Sequence, residues 1–148
     1  MEKTTETLQA NKTIAKQFFD YFEKGNINQI QTLWGKNYKL HFPGKTEALN
    51  VEDSKQILKS YNTAFPDLKF KIQYQIAEGD MVVTTFTCNG TNKGEFQGHA
   101  ASNKKVTVTG IGIHKIVNNK IEEEWAEFDA LGMMMQMGLV PEMEQIRH

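Results

Sequence analysis

One stretch of the chain, residues 106–129, constrains the fold most because it has the pattern of two β-strands joined by a tight turn. Asn118 and Asn119 separate two runs rich in β-branched residues, and Asn tolerates the positive φ that a two-residue hairpin loop needs. Such a loop pairs Val117 with Lys120 and sets the register of the rest. On one face of the sheet we expect the pairs Ile116–Ile121, His114–Glu123, Gly112–Trp125, Gly110–Glu127 and Val108–Asp129.

The two glycines in this register predict an open space above the sheet. Gly110 and Gly112 have no side chains, and several carboxylates share this face of the sheet with them. Removing water around a carboxyl group disfavours its charged form, so a carboxyl group beside this space is a candidate acid or base. The alternative is that the glycines mark a bulge or a bend and that the carboxylate caps the following helix. The spacing leaves both interpretations open.

The composition is typical of one globular domain. The chain has 148 residues, of which 39% are apolar, so we expect a single domain over residues 1–148, with its core at about 8–138 and a polar tail at 139–148. The 17 basic and 18 acidic side chains nearly balance, and no run of Lys or Arg occurs. This pattern indicates no nucleic-acid or anionic-membrane partner.

Targeting signals and cysteine chemistry are also not indicated. The first residues are polar and partly acidic, unlike a signal or transit peptide, and the apolar runs are far shorter than the roughly 20 residues that cross a bilayer. We therefore expect a cytoplasmic protein. Cys88 is the one cysteine, which excludes an internal disulfide, and its strand pattern favours a buried apolar role.

The order of hydrophobic periodicities predicts the fold class. Helical spacing over about 4–24 and 27–34 is followed by a short strand-like alternation at 37–42, by helical spacing from about 52 to Pro66, and then by further strand-like alternation and the hairpin. Helices followed by strands indicate an α+β fold, with the helices against one face of a curved, mostly antiparallel sheet. In this reading Phe70, Ile72, Tyr74 and Ile76 share one face of a strand at 68–77. Ile111, Ile113 and Phe128 lie on the outer sheet face, where large apolar groups hint at a partner surface.

Five short segments of the sequence keep a recognisable order. They are Ala64-Phe65-Pro66-Asp67-Leu68, then Glu78-Gly79-Asp80-Met81-Val82-Val83, then Gly94-Glu95-Phe96-Gln97-Gly98, then Lys120-Ile121 with Trp125 and Asp129, and finally Gln136-Met137-Gly138. As an ordered set they resemble the SnoaL-like polyketide cyclase family, which belongs to the nuclear transport factor 2-like, ketosteroid isomerase-like superfamily. The resemblance extends from the first helix to Gly138.

The resemblance implies both a shape and a chemistry. It implies a cone-shaped α+β fold in which a strongly curved sheet and N-terminal helices enclose a pocket, assembled as a homodimer or a higher homo-oligomer. It further implies an intramolecular aldol closure without metal or cofactor, with Asp129 as the acid/base and His114 as its assistant. The ligand expected is a small hydrophobic carbonyl compound.

The remaining candidate site residues follow from this hypothesis. Trp125, Phe65 and Phe86 would supply an apolar wall. His114, Glu127 or His99 would hydrogen-bond the oxyanion that develops in the reaction. His41, at the end of a short strand, is either exposed or directed at the rim of the cavity.

Two other functions fit the same residues. A non-catalytic small-molecule binding protein of this fold would need no acid or base. A metal-dependent hydrolase would use His41, His99 and His114 with a carboxylate, but these histidines are far apart and form no local motif such as His-x-x-x-His. We therefore expect no metal site and no cofactor.

Overall fold

A computed structural model describes residues 3–141 of the chain. Its helices and strands follow one another in the order that the periodicities predict. The α+β class and the curved sheet are confirmed. The elements are α1 (Thr5–Glu23), α2 (Ile27–Leu33), β1 (Trp34–His41), α3 (Val51–Ala64), β2 (Lys69–Glu78), β3 (Met81–Thr91), β4 (Lys105–Val117), β5 (Lys120–Phe128) and α4 (Ala130–Gln136).

Local sequence signals fix the ends of the two long helices. The Thr4 hydroxyl accepts a hydrogen bond from the Thr7 N–H at 3.1 Å and so caps α1. The Asn50 side chain accepts one from the Asp53 N–H at 2.8 Å and caps α3. The acidic residues Glu52 and Asp53 occupy the first turn of α3, where they interact favourably with the positive end of the helix dipole.

The five strands form one open, mixed sheet. Its order is β1-β5-β4-β3-β2; β1 runs parallel to β5, and the other pairs are antiparallel. Phe18 and Phe19 of α1 are 3% exposed and pack against the inner face of the sheet. The aromatic face of α1 therefore covers part of the inner face of the sheet.

The turn of the β4–β5 hairpin is confirmed, but most of the predicted register is wrong. Asn118 and Asn119 have φ values of 50° and 63°, and Val117 pairs with Lys120. Glu122 is then an extra residue, because Ile116 pairs with Ile121 whereas Lys115 pairs with Glu123. A bulge of this kind reverses which side chains of the strand face inward. His114 consequently pairs with Glu124, Gly112 with Ala126 and Gly110 with Phe128.

A second bulge changes the predicted faces of β2. Ile72 pairs with Phe86, but Tyr74 pairs with Thr85, so Gln73 is the extra residue. The predicted single face of β2 is therefore wrong beyond Ile72. Phe70 and Ile72 face the core, while Tyr74 and Ile76 are 70% and 66% exposed on the outer face.

The segment from Ala64 to Leu68 joins α3 to the sheet. Ala64 and Phe65 are buried, and Pro66 follows the last turn of the helix. The Asp67 carboxylate accepts hydrogen bonds from the N–H and the hydroxyl of Thr91, each at 2.7 Å, and these bonds lower the pKa of Asp67. The segment thus ties the end of α3 to the end of β3.

The helices of the described region are amphipathic or short. None of those within residues 3–141 is both long enough and apolar enough to cross a membrane.

The left-handed conformation of the hairpin turn is testable by a pair of substitutions. Asn119→Val should lower the free energy of unfolding by about 1–2 kcal/mol, because a β-branched residue is strained at positive φ. Asn119→Gly should leave it unchanged or raise it by up to about 1 kcal/mol. Urea denaturation of both variants measures the difference, and equal stabilities would show that the turn does not need positive φ.

Candidate active site

A partly open, strongly apolar cavity lies between the inner face of the sheet and helices α1 and α3. Its volume is about 80 Å³. An engineered apolar cavity that holds benzene has about 150 Å³, so a ring compound would have to displace wall side chains here. Eight of the nine phenylalanines line it: Phe18, Phe19, Phe22, Phe42, Phe65, Phe70, Phe86 and Phe128.

Among residues 3–141, Glu124 is the one carboxylate in the wall of this cavity. It lies on β5 next to the bulge and is only 4% exposed. The Tyr38 hydroxyl of β1 donates a hydrogen bond to Glu124 Oε1 at 2.8 Å. Burial, and then the negative charge and hydrogen bond of Glu124, raise the pKa of Tyr38 well above its ordinary value. Tyr38 therefore remains protonated and serves as a permanent donor to this carboxylate.

His114 approaches the same carboxylate from β4. Its side chain is fully buried between the rings of Phe18 and Phe19, at centroid distances of 5.2 and 5.8 Å. His114 Nε2 is 3.3 Å from Glu124 Oε1, but neither ring nitrogen makes an aligned hydrogen bond within the described residues. The two atoms are close enough for a hydrogen bond once the groups align. Such contacts often become aligned only when a ligand binds.

The two neighbours of Glu124 leave one of its oxygens available. Tyr38 and His114 both engage Oε1. Among residues 3–141, Oε2 makes no hydrogen bond. It is also not one of the buried polar atoms of that region that lack a partner, so it keeps some exposure. Because Glu124 lines the cavity, Oε2 is the oxygen that a ligand there would meet.

Asp129, the acid/base expected from the sequence, lies elsewhere. The expectation that it borders a dry hollow is wrong, because the residue is exposed. Its side chain accepts a hydrogen bond from the Gly132 N–H at 2.8 Å and caps α4, the alternative that the spacing had left open. Its backbone N–H bonds to Thr109, five positions before His114, or roughly 16 Å along a strand. Its catalytic role stays a prediction.

The space expected above the two glycines is mostly filled by aromatic rings. The Phe86 ring occupies the place that a side chain at Gly110 would take. A Cβ atom at Gly112 would lie 3.3 Å from the Phe19 ring and 3.5 Å from His114. Gly112 still lines the cavity, so the glycines allow aromatic side chains to approach the sheet rather than opening a hollow by themselves.

The other candidate residues fall into two groups. Phe65 and Phe86 lie in the cavity wall. Trp125 and Glu127 face the opposite side of the sheet, because the bulge at Glu122 reverses their direction. His41 also lies on that outer face, stacked on Trp125 and hydrogen-bonded to Glu123. His99 is exposed in the loop between β3 and β4.

Sequence reasoning missed Glu124 and Tyr38. The run Glu122-Glu123-Glu124 gives no indication of which carboxylate faces inward, and the bulge decides it. Tyr38 alternates with polar residues in a way that is typical of any core strand residue. Within residues 3–141 no three His, Cys, Asp or Glu side chains are grouped as they would be around a metal ion.

Comparisons with known proteins agree with the fold. The sequence matches a family model described as SnoaL-like polyketide cyclase over residues 12–137. A putative polyketide cyclase from Acidithiobacillus ferrooxidans is 29% identical, with a TM-score of 0.77 and coverage of 87% of this chain and 94% of that chain. No curated protein matches the chain significantly.

Two more distant structures share the fold alone. A putative SnoaL-like polyketide cyclase from Jannaschia is 19% identical, with a TM-score of 0.84 over 95% of this chain and 100% of that one. AclR from Streptomyces galilaeus, a putative hydroxylase, is also 19% identical, with a TM-score of 0.83 over 90% and 99% of the two chains. These neighbours are named for different chemistries, so the fold leaves the reaction open.

The burial of Cys88 in the cavity wall should make the free energy of unfolding fall as the pH becomes alkaline. Burial raises the pKa of the Cys88 thiol from 9.0 to about 12. The unfolded chain loses this proton above about pH 9 while the folded protein keeps it, so this contribution to stability is complete below pH 9 and is lost as the pH rises toward 12.

The Cys88→Ala variant isolates this effect. Between pH 9 and 11 we expect the unfolding free energy of the wild type to fall more steeply than that of the variant, by up to about 1.4 kcal/mol per pH unit. Chemical denaturation at a series of pH values measures both slopes. The absolute stability of the variant can differ, but parallel slopes would contradict a buried, protonated thiol.

Proposed function

Because the chain belongs to the SnoaL-like polyketide cyclase family, we propose that it catalyses cofactor-independent acid/base chemistry of the intramolecular aldol type on a small hydrophobic carbonyl compound. The observation that carries this proposal is the buried carboxylate of Glu124 in the wall of an otherwise apolar cavity. We assign the acid/base role to Glu124 rather than to Asp129, because Asp129 is exposed and caps α4.

The proposed reaction uses one carboxylate twice. Glu124 Oε2 takes a proton from the carbon beside a carbonyl group, and the C–H electron pair passes into an enolate. The enolate carbon forms a bond to a second carbonyl carbon of the same molecule, whose oxygen becomes an alkoxide. Glu124 then returns the proton to that alkoxide. Positioned acid/base groups typically contribute about 10²- to 10⁴-fold to a rate.

The neighbours of Glu124 support this use. Tyr38 donates to Oε1 and so fixes the orientation of the carboxylate. His114 Nε2 lies 3.3 Å from the same oxygen and would need to realign to donate to it. The aromatic walls exclude water and can fold a flexible substrate toward its attack geometry, to which Phe65 and Phe86 contribute.

The first step can be measured without knowing the natural substrate. Proton removal beside a carbonyl appears in D₂O as replacement of hydrogen by deuterium, which NMR follows for cyclohexanone and 2-tetralone as probes of two sizes. We expect the wild type to accelerate this exchange for at least one of them. Glu124→Gln, which keeps the size of the side chain, should reduce the acceleration by about 10²- to 10⁴-fold.

Asp129→Asn is the matched control for this experiment. Asn is as good a helix cap as Asp, so the variant should keep both the fold and the exchange rate. If Asp129→Asn lost the exchange and Glu124→Gln kept it, the acid/base would be Asp129. If the probes bound equally to the wild type and Glu124→Gln without any exchange, the protein would be a binding protein without this chemistry.

We also propose that the chain forms a homodimer through the outer face of its sheet. An outer apolar row crosses four strands there, since Ile76 pairs with Val83, Val83 with Ile113 and Ile113 with Trp125. Ile111, in the next position, is 46% exposed. Charges of both signs border the row, with Lys115 paired to Glu123. An apolar centre with mixed charges at its edge suits a two-fold contact, in which a surface meets a copy of itself.

A charge placed on this face should separate the dimer. Ile111→Glu should weaken self-association roughly 100-fold or more, because a buried, unpaired carboxylate costs several kcal/mol. Leu131→Glu is the control, since Leu131 is 51% exposed and lies on α4 rather than on a strand of the sheet. Sedimentation equilibrium measures both variants. Unchanged association of Ile111→Glu would exclude this face as the contact.

A further inference from the structure

Tyr61 is a polar residue of the cavity that the chemistry at Glu124 does not use. It lies on α3 and lines the cavity. Its ring makes edge contacts with Phe42, Phe96 and Phe128 at centroid distances of 5.7, 5.3 and 5.9 Å. Three aromatic neighbours leave the ring little freedom, so the direction of its hydroxyl group is set by the fold.

The hydroxyl group of Tyr61 has no hydrogen-bond partner in the region from 3 to 141. Tyr38 donates to Glu124, whereas burial alone raises the pKa of Tyr61 above its ordinary value, with no hydrogen bond contributing. The group is therefore a protonated donor at neutral pH. It is not one of the buried polar atoms that lack a partner in the same region, so it keeps some exposure, and a ligand oxygen in the cavity can take the place of solvent as its acceptor.

Tyr61 and Glu124 lie toward different ends of the cavity. On β5, Glu124 and Phe128 both face inward and are four residues apart, or roughly 13 Å along a strand. The Tyr61 ring packs beside Phe128. Ala126 lies between the two positions and contributes only a methyl group to the wall. The cavity thus has Glu124 toward one end and Tyr61 toward the other.

We propose that the Tyr61 hydroxyl donates a hydrogen bond to an acceptor oxygen of the ligand, at the end of the cavity away from Glu124. The site then selects elongated hydrophobic molecules that carry an oxygen at each end. This inference rests on the proposed function, which places the reacting carbonyl at Glu124. It gives Tyr61 a role in specificity and no part in proton transfer.

Two ketones of matched shape test the inference. 6-Methoxy-2-tetralone and 6-ethyl-2-tetralone differ only in an ether oxygen that replaces a methylene group. We expect the wild type to bind the methoxy compound about 2- to 10-fold more tightly, the net effect of one hydrogen bond. Tyr61→Phe should bind both equally. Tyr74→Phe, which removes a hydroxyl from the exposed outer face, should keep the preference.

The opposite results would overturn the inference. They are a preference in Tyr61→Phe equal to that of the wild type, or no preference in the wild type. Exchange kinetics add a second readout, since Tyr61→Phe should raise KM for the methoxy compound and leave kcat unchanged. Glu124→Gln separates the two proposals, because it should lose the exchange but keep the preference. Exchange by Glu124→Gln at the wild-type rate would refute the assignment of Glu124 while the binding ratio still decided the role of Tyr61.

Discussion

The single extra residue at Glu122 determines which side chains of β5 line the cavity. Side chains of a strand alternate between faces, so one bulged residue reverses the direction of every side chain that follows. Beyond this bulge, Glu124, Ala126 and Phe128 face the cavity, and Trp125 and Glu127 face outward. Without it, the inner face would carry Trp125 and two other carboxylates. The position of the carboxylate in the cavity is therefore a consequence of the backbone of one hairpin.

Burying the Glu124 carboxylate in an apolar wall is energetically unfavourable. Its neighbours explain how the fold tolerates it. Loss of water around an unpaired charge costs several kcal/mol, and hydrogen bonds to the charged form offset this cost. Tyr38 supplies one such bond from β1, and His114 lies against the same oxygen from β4. Three adjacent strands thus meet at Glu124 Oε1. The arrangement makes the parallel pairing of β1 with β5 part of the site as well as part of the sheet.

The sequence predicts the elements and the fold class well, and the faces of the strands poorly. Period and turn residues identify the helices, the Asn118-Asn119 turn and the order of the strands, because these signals are local. The direction of a strand residue depends on register, and the bulges at Gln73 and Glu122 leave no mark in the alternation of residue types. Phe65 and Phe86 are found in the cavity wall as expected. Asp129 lies outside the cavity and caps α4. The sequence could not predict this, because the same spacing fits a helix cap and an acid/base.

The same two bulges shape both faces of the sheet, which links the cavity to the outer surface. The bulge at Gln73 places Tyr74 and Ile76 on the outer face of the sheet, and the bulge at Glu122 places Trp125 there. Each change removes a large side chain from the inner face, where the aromatic residues of α1 and α3 then pack. The exposed apolar row and the apolar cavity therefore both depend on these two bulges. A substitution that restored regular pairing in β5 would move Glu124 out of the cavity and, at the same time, remove Trp125 from the outer apolar row.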